Sequence, residues 1–233
     1  MGCEDFGFLM CLKDGEVFES FFGEKKIIQN INLYRFTSDS ILLSKFARAK
    51  KGDRVADFCS GSGVVGFHFL CLNPCISSLD LFEMQSALAE MSERTAKLNG
   101  FDCAIHCTKI QDIGKEFDDK FSLVLCNPPY ERSGFENDVY EKAVCRKELT
   151  LTLPEIIEKA YRVLKFGGRF AVLNRADRTA ELIYLLKKRG LEPKKMQFVS
   201  GTQEAKPYLI MAEAVKGGKE EIEILPAIVN ERN

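Results

Sequence analysis

The chain has 233 residues, 45% of them hydrophobic, and its 33 basic and 34 acidic residues leave a formal net charge of −1. This length and composition predict one α/β domain of ordinary size. No apolar run approaches the roughly 20 residues that span a bilayer, and the acidic start Met1–Asp5 differs from the basic start of a signal peptide. We therefore expect a cytoplasmic protein without membrane contact, a monomer or weak homodimer.

Apolar runs predict strands and helices that alternate along most of the chain. The first 35 residues are ambiguous, because Val17–Phe22 fits either a small strand pair or a lid over an active site. We then expect a helix from Ile41, strands over 53–58, 76–82, 103–108, 121–126 and 169–173, helices around 88–98, 156–164 and 178–189, and a helix stop at 165–168. The short connection between Lys195–Ser200 and Tyr208–Val215 predicts an antiparallel hairpin at the sheet edge.

A glycine-rich segment, Cys59–Gly66, follows the strand at 53–58. Glycines at a strand-to-helix turn let the backbone approach a ligand closely, and this spacing also fits a dinucleotide-binding pattern. However, Asp57 before Gly61 and Gly63 would repel a pyrophosphate, whereas a carboxylate binds an ammonium group. Glu83 ends the next strand, where it can accept both hydroxyls of a ribose. These residues favour S-adenosylmethionine, which has an amine and a ribose but no phosphate.

The tetrapeptide Asn127-Pro128-Pro129-Tyr130 follows the apolar run 121–126. Prolines lack the N–H that a central strand uses, so the chain leaves the sheet here as a rigid loop. The Asn127 amide and the Pro128 carbonyl can both accept hydrogen bonds from one planar NH₂ group. The Tyr130 ring can stack on the group that carries the amine. The alternative is a structural strand–loop junction.

These two motifs resemble those of the class I S-adenosylmethionine-dependent methyltransferases, in the branch whose Asn-Pro-Pro-Tyr motif marks N-methylation. Within that branch the chain is most similar to the bacterial N6-adenine methyltransferases that act on valine tRNA beside the anticodon. Weaker similarity to the same tRNA enzymes lies in the segments 36–43, 146–151 and 191–194. The resemblance implies a doubly wound, mostly parallel seven-stranded sheet with a C-terminal antiparallel hairpin. It also implies that residues 1–50 form an N-terminal extension and cap, and 51–233 the cofactor-binding and catalytic core of one domain.

The resemblance assigns catalysis to Asn127, Pro128, Pro129 and Tyr130. It assigns cofactor binding to Ser38, Asp39, Asp57, Cys59, Gly61, Gly63, Glu83, Asp112 and Asn127. Some of these have alternatives. Asp112 would accept the cofactor's adenine amino group or cap a helix, and Ser38 and Asp39 would reach the methionine end or cap the helix from Ile41. The family usually has glycine where this chain has Cys59, so we expect altered cofactor contact there without loss of binding.

Charge is distributed unevenly along the chain. Residues 51–145 contain 9 Lys/Arg and 15 Asp/Glu, whereas 146–216 contain 15 and 8. A basic half predicts one face for the phosphates of RNA, with tRNA implied by the resemblance. The candidate RNA-binding residues are Arg146, Arg175, Arg178, Lys187, Lys188, Arg189 and Lys194. The alternative is an ordinary solvated helix face, because cations favour the helix end at 187–189.

Cysteine and histidine offer a possible metal site. Cys71/Cys75 and Cys103/Cys107 form two C-x₃-C pairs, with His106 in the second. Free, reduced, buried thiols are the better interpretation, because nine cysteines is an odd number and several lie in predicted strands. We expect no metal, and structural roles for His68 and His106.

Three other functions are compatible with these motifs. The same loop serves enzymes that methylate protein glutamine amides, other RNA bases or DNA adenine, although the glutamine and DNA enzymes usually carry an additional domain. An inactive scaffold that binds RNA is the second, and intact Asp57, Glu83 and Asn127 argue against it. The third is a dehydrogenase of similar fold, which the Asn-Pro-Pro-Tyr loop disfavours.

Overall fold

The computed structural model describes residues 12–33, 38–128 and 151–230. The first of these ranges contains a hairpin, in which strands β1 (Glu16–Phe22) and β2 (Lys25–Asn30) pair antiparallel as a separate small sheet. Ile27 and Ile28 of β2 are buried, and the Ile28 N–H donates to Thr95 Oγ1 at 3.1 Å. The strand-pair interpretation of this segment is therefore confirmed.

A mostly parallel sheet forms the centre of the structure. Its strands are β3 (Arg54–Phe58), β4 (Ser78–Glu83), β5 (Ala104–Cys107), β6 (Phe121–Cys126), β7 (Leu164–Arg175), β8 (Leu191–Ser200) and β9 (Leu209–Lys216). Their spatial order is β5-β4-β3-β6-β7-β9-β8, with β9 antiparallel to both neighbours. Two short strands, β10 (Glu223–Ile224) and β11 (Ile228–Val229), extend the predicted seven strands by pairing with β8.

Helices cover both faces of this sheet. They are α1 (Ser38–Phe46), α2 (Val64–Leu72), α3 (Ser86–Asn99), α4 (Leu153–Val163) and α5 (Thr179–Arg189). Every residue of β6 is buried, because its alternate side chains enter two different cores. Val124 packs with residues of α4 and α5, whereas Leu125 packs with residues of α1 and α2. The α/β fold with a doubly wound sheet is confirmed.

Several predicted boundaries differ from the structure. Helix α1 already includes Ser38, three residues before the predicted start at Ile41. The predicted helix stop at 165–168 lies inside β7, where the pairing with β6 is irregular and Gly167 has φ +74°. The last hairpin has longer strands than predicted, because β8 begins at Leu191 and passes Pro193 through a register shift.

The ends of the parallel strands form two opposite borders of the sheet, called here the carboxyl edge and the amino edge. Strands β3, β4, β5, β6 and β7 run parallel, so their carboxyl ends lie together at one edge. Helix α5 starts after the carboxyl end of β7 and ends before β8, which runs in the same direction as β7 because both are antiparallel to β9. The carboxyl end of α5 therefore lies at the opposite, amino edge. An 11-residue helix spans about 16 Å between the two.

Candidate active site

The glycine loop occupies the carboxyl end of β3. Gly61 and Gly63 have φ of +57° and +89°, a region that residues with a Cβ rarely adopt. A Cβ on Gly63 would lie 2.4 Å from the Phe67 ring, so close packing also requires glycine there. A Cβ on Gly61 would meet no atom within 4 Å. Gly61 therefore presents its backbone to open space, as a ligand-binding loop requires.

Cys59 has the left-handed backbone of a glycine, with φ +57°. It follows Phe58, which the register pairs with Cys126, the last residue of the neighbouring strand β6. Burial raises the pKa of the Cys126 thiol well above its usual range, so this thiol remains protonated. Because Cys59 has a Cβ and yet adopts this left-handed conformation, its backbone is strained at the start of the glycine loop.

The strain at Cys59 predicts an order of stability for two small substitutions. Cys59→Ala removes the thiol and keeps the unfavourable φ, whereas Cys59→Gly removes both. We expect the free energy of unfolding of Cys59→Gly to exceed that of Cys59→Ala by about 1 kcal/mol, because a left-handed residue costs this much with a Cβ. Urea denaturation measures the difference. Equal stability would mean that the backbone at Cys59 relaxes without cost.

Asp57 is buried beneath this loop. Its Oδ2 accepts a hydrogen bond of 2.8 Å from the Gly66 N–H in the first turn of α2. Burial, and secondarily the nearby Glu83 carboxylate, raise the pKa of Asp57 from 3.8 to about 8, although the Gly66 hydrogen bond lowers it. A cation near Asp57 would favour its ionised form.

The Asp57 carboxyl should make stability depend on pH. The folded protein holds the proton up to about pH 8, whereas the unfolded chain loses it near 3.8. The folded state thus binds more protons than the unfolded chain between these values. The contribution of Asp57 to the free energy of unfolding therefore falls as pH rises from about 4 to about 8. We expect Asp57→Asn, tested without ligand, to remove this fall. Identical pH profiles for wild type and variant would contradict it.

Glu83 lies at the end of β4, beside the glycine loop. Its two carboxylate oxygens accept hydrogen bonds of 2.8 Å, Oε2 from the Gly61 N–H and Oε1 from the Gln85 N–H. Burial raises the pKa of Glu83 despite these hydrogen bonds. Two carboxyl groups, those of Asp57 and Glu83, are therefore buried around the same loop. This arrangement favours a cationic ligand and opposes a phosphate.

Asn127 follows β6 at the same edge of the sheet and is half-buried. Its Nδ2 donates to Ser40 Oγ of α1 at 3.2 Å, and Pro128 after it is buried. The register pairs Phe58 with Cys126, so Asn127 lies beside the first residue of the glycine loop. The other two members of the motif, Pro129 and Tyr130, lie outside the described residues.

Ser38 and Asp39 lie in the first turn of α1 and contact the C-terminal part of the chain. Asp39 Oδ1 accepts hydrogen bonds from Tyr208 Oη at 2.7 Å and from Asn230 Nδ2 at 2.9 Å. Asn230 Nδ2 also approaches Ser38 Oγ at 3.1 Å. These contacts connect the start of α1 to the residue before β9 and to the residue after β11. The sequence did not indicate this association.

Asp112 ends a short 3₁₀ turn, Ile110–Asp112, after β5, and so does not cap an α-helix. It lines a cavity of about 270 Å³ together with Phe82, His106, Thr108 and Phe117 among other residues. The cavity lies beside the carboxyl ends of β4 and β5. Glu83, the residue after Phe82, ends the same strand but does not line this cavity.

The family of the chain follows from comparison with known proteins. The model of the methyltransferase small domain matches residues 37–190, which include the glycine loop, Glu83 and Asn127. The chain belongs to the methyltransferase small domain family. It is therefore an S-adenosylmethionine-dependent methyltransferase, and its cofactor is S-adenosylmethionine.

Individual relatives agree with the resemblance drawn from the sequence. The tRNA1(Val) (adenine(37)-N6)-methyltransferase of Photobacterium profundum is 24% identical over 173 residues, 72% of each chain. The protein of the same name from Parabacteroides distasonis is 22% identical over 178 residues, 76% of this chain and 74% of the relative. A predicted O-methyltransferase from Agrobacterium tumefaciens shares the fold, with a TM-score of 0.66 at 17% identity over 82% of this chain and 86% of that one.

The site of this methyltransferase fits the cofactor in a further respect. Ser60 Oγ, in the glycine loop, is buried and has no hydrogen-bond partner among the described residues. A buried hydroxyl without a partner is costly, and a bound ligand with a polar group would remove that cost. Sequence reasoning missed Ser60 because a serine between Cys59 and Gly61 gives no signal of its own.

The predicted RNA-binding cations of the methyltransferase fall into two groups near opposite ends of α5. Arg175 and Arg178 lie at the carboxyl edge, where they form ion pairs with Asp177 and Glu181. The others lie at the amino edge, except Arg146, which is outside the described residues: Lys187, Lys188, Arg189 and Lys194. These cations therefore form two groups near the two ends of α5, and their role in RNA binding stays a prediction.

Among these candidate RNA-binding residues, Arg189 makes contacts that stabilise the fold. It forms an ion pair with Glu158, and its guanidinium lies 3.7 Å from the centre of the Tyr161 ring. Lys187 is half-exposed beside Glu192, and Lys188 lies over Tyr184. Charge reversal at Arg189 would therefore disturb the packing of α4 against α5, whereas Lys187 and Lys188 are better probes of a partner.

The cysteines and histidines show mixed burial. Six described cysteines are free thiols, but only Cys126 is buried, and Cys75 and Cys107 are exposed, so the expectation of buried thiols is wrong for those two. Among the described residues there is no cluster able to hold a metal ion, and no helix long and apolar enough to cross a membrane. His68 Nδ1 lies 2.6 Å from Ser44 Oγ, and His106 stacks on Phe82, contacts typical of structural histidines.

Proposed function

We propose that this methyltransferase transfers a methyl group from S-adenosylmethionine to the exocyclic N6 of an adenine in RNA, with tRNA beside the anticodon as its substrate. The position of Asn127 carries the proposal. It projects from the end of β6 directly beside the glycine loop, at the edge where both carboxylates of the cofactor site lie. The names of the two relatives supply the choice of tRNA.

In this proposal, different residues bind different parts of the cofactor. Glu83 accepts the ribose hydroxyls, and Asp112 accepts the adenine amino group within the cavity beside β5. We assign Asp57 and Ser60 to the methionine end, where a carboxylate would attract the ammonium group. Gly61 leaves the space through which the ligand approaches.

Positioning is the main contribution of the protein to the reaction. The bound cofactor supplies a methyl group on a sulfonium, whose thioether product is neutral. Asn127 Oδ1 and the Pro128 carbonyl accept the two N–H groups of the adenine, which favours a pyramidal nitrogen with an available lone pair. Such electrostatic positioning contributes several kcal/mol. The proton lost by the methylated nitrogen passes to water, and Tyr130 stacks on the base.

Mass mapping of methylated nucleosides tests the proposal. RNA pools are incubated with the enzyme and isotopically labelled cofactor, then digested to nucleosides. We expect label in N6-methyladenosine from the tRNA fraction. Label in another base, in DNA or in a protein glutamine would assign the same chemistry to a different substrate. Cofactor binding by calorimetry without any methylated product would favour the scaffold.

The two edges of the sheet predict different effects of charge reversal on RNA binding. Lys187→Glu with Lys188→Glu alters the amino edge, about 16 Å along α5 from the active-site edge. We expect this pair to weaken full-length tRNA binding and to reduce the log–log salt slope by roughly 0.7–0.9 for each phosphate that the variant no longer neutralises. An isolated anticodon stem-loop should be affected less.

Arg178→Glu is the matched comparison at the carboxyl edge. It should weaken the stem-loop and the full-length tRNA alike, because it lies near the site of methylation. Titrations at several salt concentrations measure both slopes. An unchanged slope for the Lys187/Lys188 variant would show that the carboxyl end of α5 is only a solvated surface.

A further inference from the structure

The Asn127 amide contacts one buried hydroxyl group of helix α1. Ser40 is 1% exposed, and its Oγ accepts the hydrogen bond from Asn127 Nδ2 at 3.2 Å. The terminal torsion of an asparagine side chain is broad and roughly two-fold, so the backbone does not by itself decide where the oxygen points. In the structure the nitrogen of the amide is turned toward Ser40, so a contact from the surrounding fold selects between the two orientations.

We propose that Ser40 is a positioning residue, which turns the Asn127 amide so that Oδ1 faces the amine to be methylated. This inference rests on the proposed function, because it matters only where Asn127 Oδ1 accepts a substrate N–H. The opposite orientation would present two N–H donors to an NH₂ group, and neither side has an acceptor in that arrangement. In the observed orientation Nδ2 is directed to Ser40, which leaves Oδ1 on the other side of the amide for the substrate.

The start of α1 is itself held in place by distant parts of the chain. Tyr208 and Asn230 both donate to Asp39 Oδ1, one residue before Ser40. Ser40 therefore lies in a helix end that is hydrogen-bonded to residues flanking β9 and β11. A hydroxyl on a fixed helix positions a neighbour more accurately than a hydroxyl on a loop.

Ser44 supplies a matched control. It lies one turn further along α1, is equally buried, and its Oγ donates to the Ile41 carbonyl at 2.7 Å and contacts His68. Ser40→Ala and Ser44→Ala each remove one buried hydroxyl from the same helix. Only Ser40→Ala removes a partner of Asn127.

The kinetic test compares kcat with cofactor affinity in these variants. We expect Ser40→Ala to lower kcat about tenfold, because a misdirected amide misplaces the nucleophile, while the Kd for S-adenosylmethionine stays within about twofold. Ser40→Cys keeps the side-chain volume with a weaker acceptor and should lie between Ser40→Ala and wild type. Ser44→Ala should keep the kcat of wild type. Equal losses of kcat in Ser40→Ala and Ser44→Ala would overturn the proposal.

Nuclear magnetic resonance separates this inference from the proposed function. The side-chain NH₂ signals of Asn127, assigned by their absence in Asn127→Ala, should shift in Ser40→Ala and stay in place in Ser44→Ala. Unmoved signals in Ser40→Ala would show that Ser40 does not orient the amide, whatever the substrate is. If the signals shift but no RNA adenine is methylated, the contact stands and the proposed substrate is wrong.

Discussion

Asn127→Ala should reduce methylation by a factor of about 10² to 10³, while the affinity for S-adenosylmethionine stays near that of wild type. The size follows from the loss of one preorganised polar group that acts on the reacting atoms. In the proposed site Asn127 acts on the nucleophile and its side chain contacts α1, whereas the cofactor contacts are assigned to the glycine loop and Glu83. Single-turnover kinetics measure the rate, and calorimetry measures the affinity.

Asn127→Asp is the matched control for this prediction. It keeps the size of the side chain and an acceptor oxygen, so we expect it to retain more activity than Asn127→Ala. Thermal unfolding of both variants shows whether the fold is intact. Equal loss of rate and cofactor affinity in Asn127→Ala would instead identify Asn127 as a cofactor-binding or structural residue.

Glu83→Ala should produce the largest loss of cofactor affinity. The substitution removes the acceptor of the ribose hydroxyls, and a hydrogen bond to a charged group contributes about 1.5–3 kcal/mol. This corresponds to a Kd roughly 10- to 150-fold higher. The Gly61 and Gln85 N–H groups also lose their acceptor, so the free energy of unfolding should fall by about 1–3 kcal/mol.

Glu83→Gln separates these two effects. The glutamine keeps one oxygen, so it can still accept from one N–H group near the loop, but it loses the charge that attracts a cationic ligand. Because one of the two N–H groups loses its acceptor, we expect both its stability and its cofactor affinity to lie between those of wild type and Glu83→Ala. Calorimetry at a temperature where all three proteins are folded decides the matter. Unchanged affinity in Glu83→Ala would place the ribose elsewhere.

The alternation of strands and helices was predictable because it depends on local patterns. Buried strands such as β3 and β6 are short apolar runs, and α4 has the apolar spacing of a helix. The irregular start of β7 was not predictable, because Gly167 resembles a helix stop until β6 is known to pair across it. The place of β9 between β7 and β8 likewise depends on which strands find each other.

The sequence by itself determined which residues end the strands of the cofactor site. Asp57, Glu83 and Asn127 each follow or end an apolar run, and carboxyl ends of parallel strands share one edge, so their proximity followed from chain order. Tertiary structure alone decided the other contacts. Ser40 reaches Asn127, and Tyr208 reaches Asp39, across separations of 87 and 169 residues.

For the basic residues, too, the sequence determined one part of the answer and the tertiary structure decided the other. Their number and order along the chain predicted a basic half, but a helix that crosses the sheet carries Arg178 and Lys187 to opposite edges. Neighbouring acids then pair with several of them, as Glu181 does with Arg178. Charge along a sequence is one-dimensional, whereas the field that RNA meets depends on direction and on distance between groups. Only the fold supplies those two quantities.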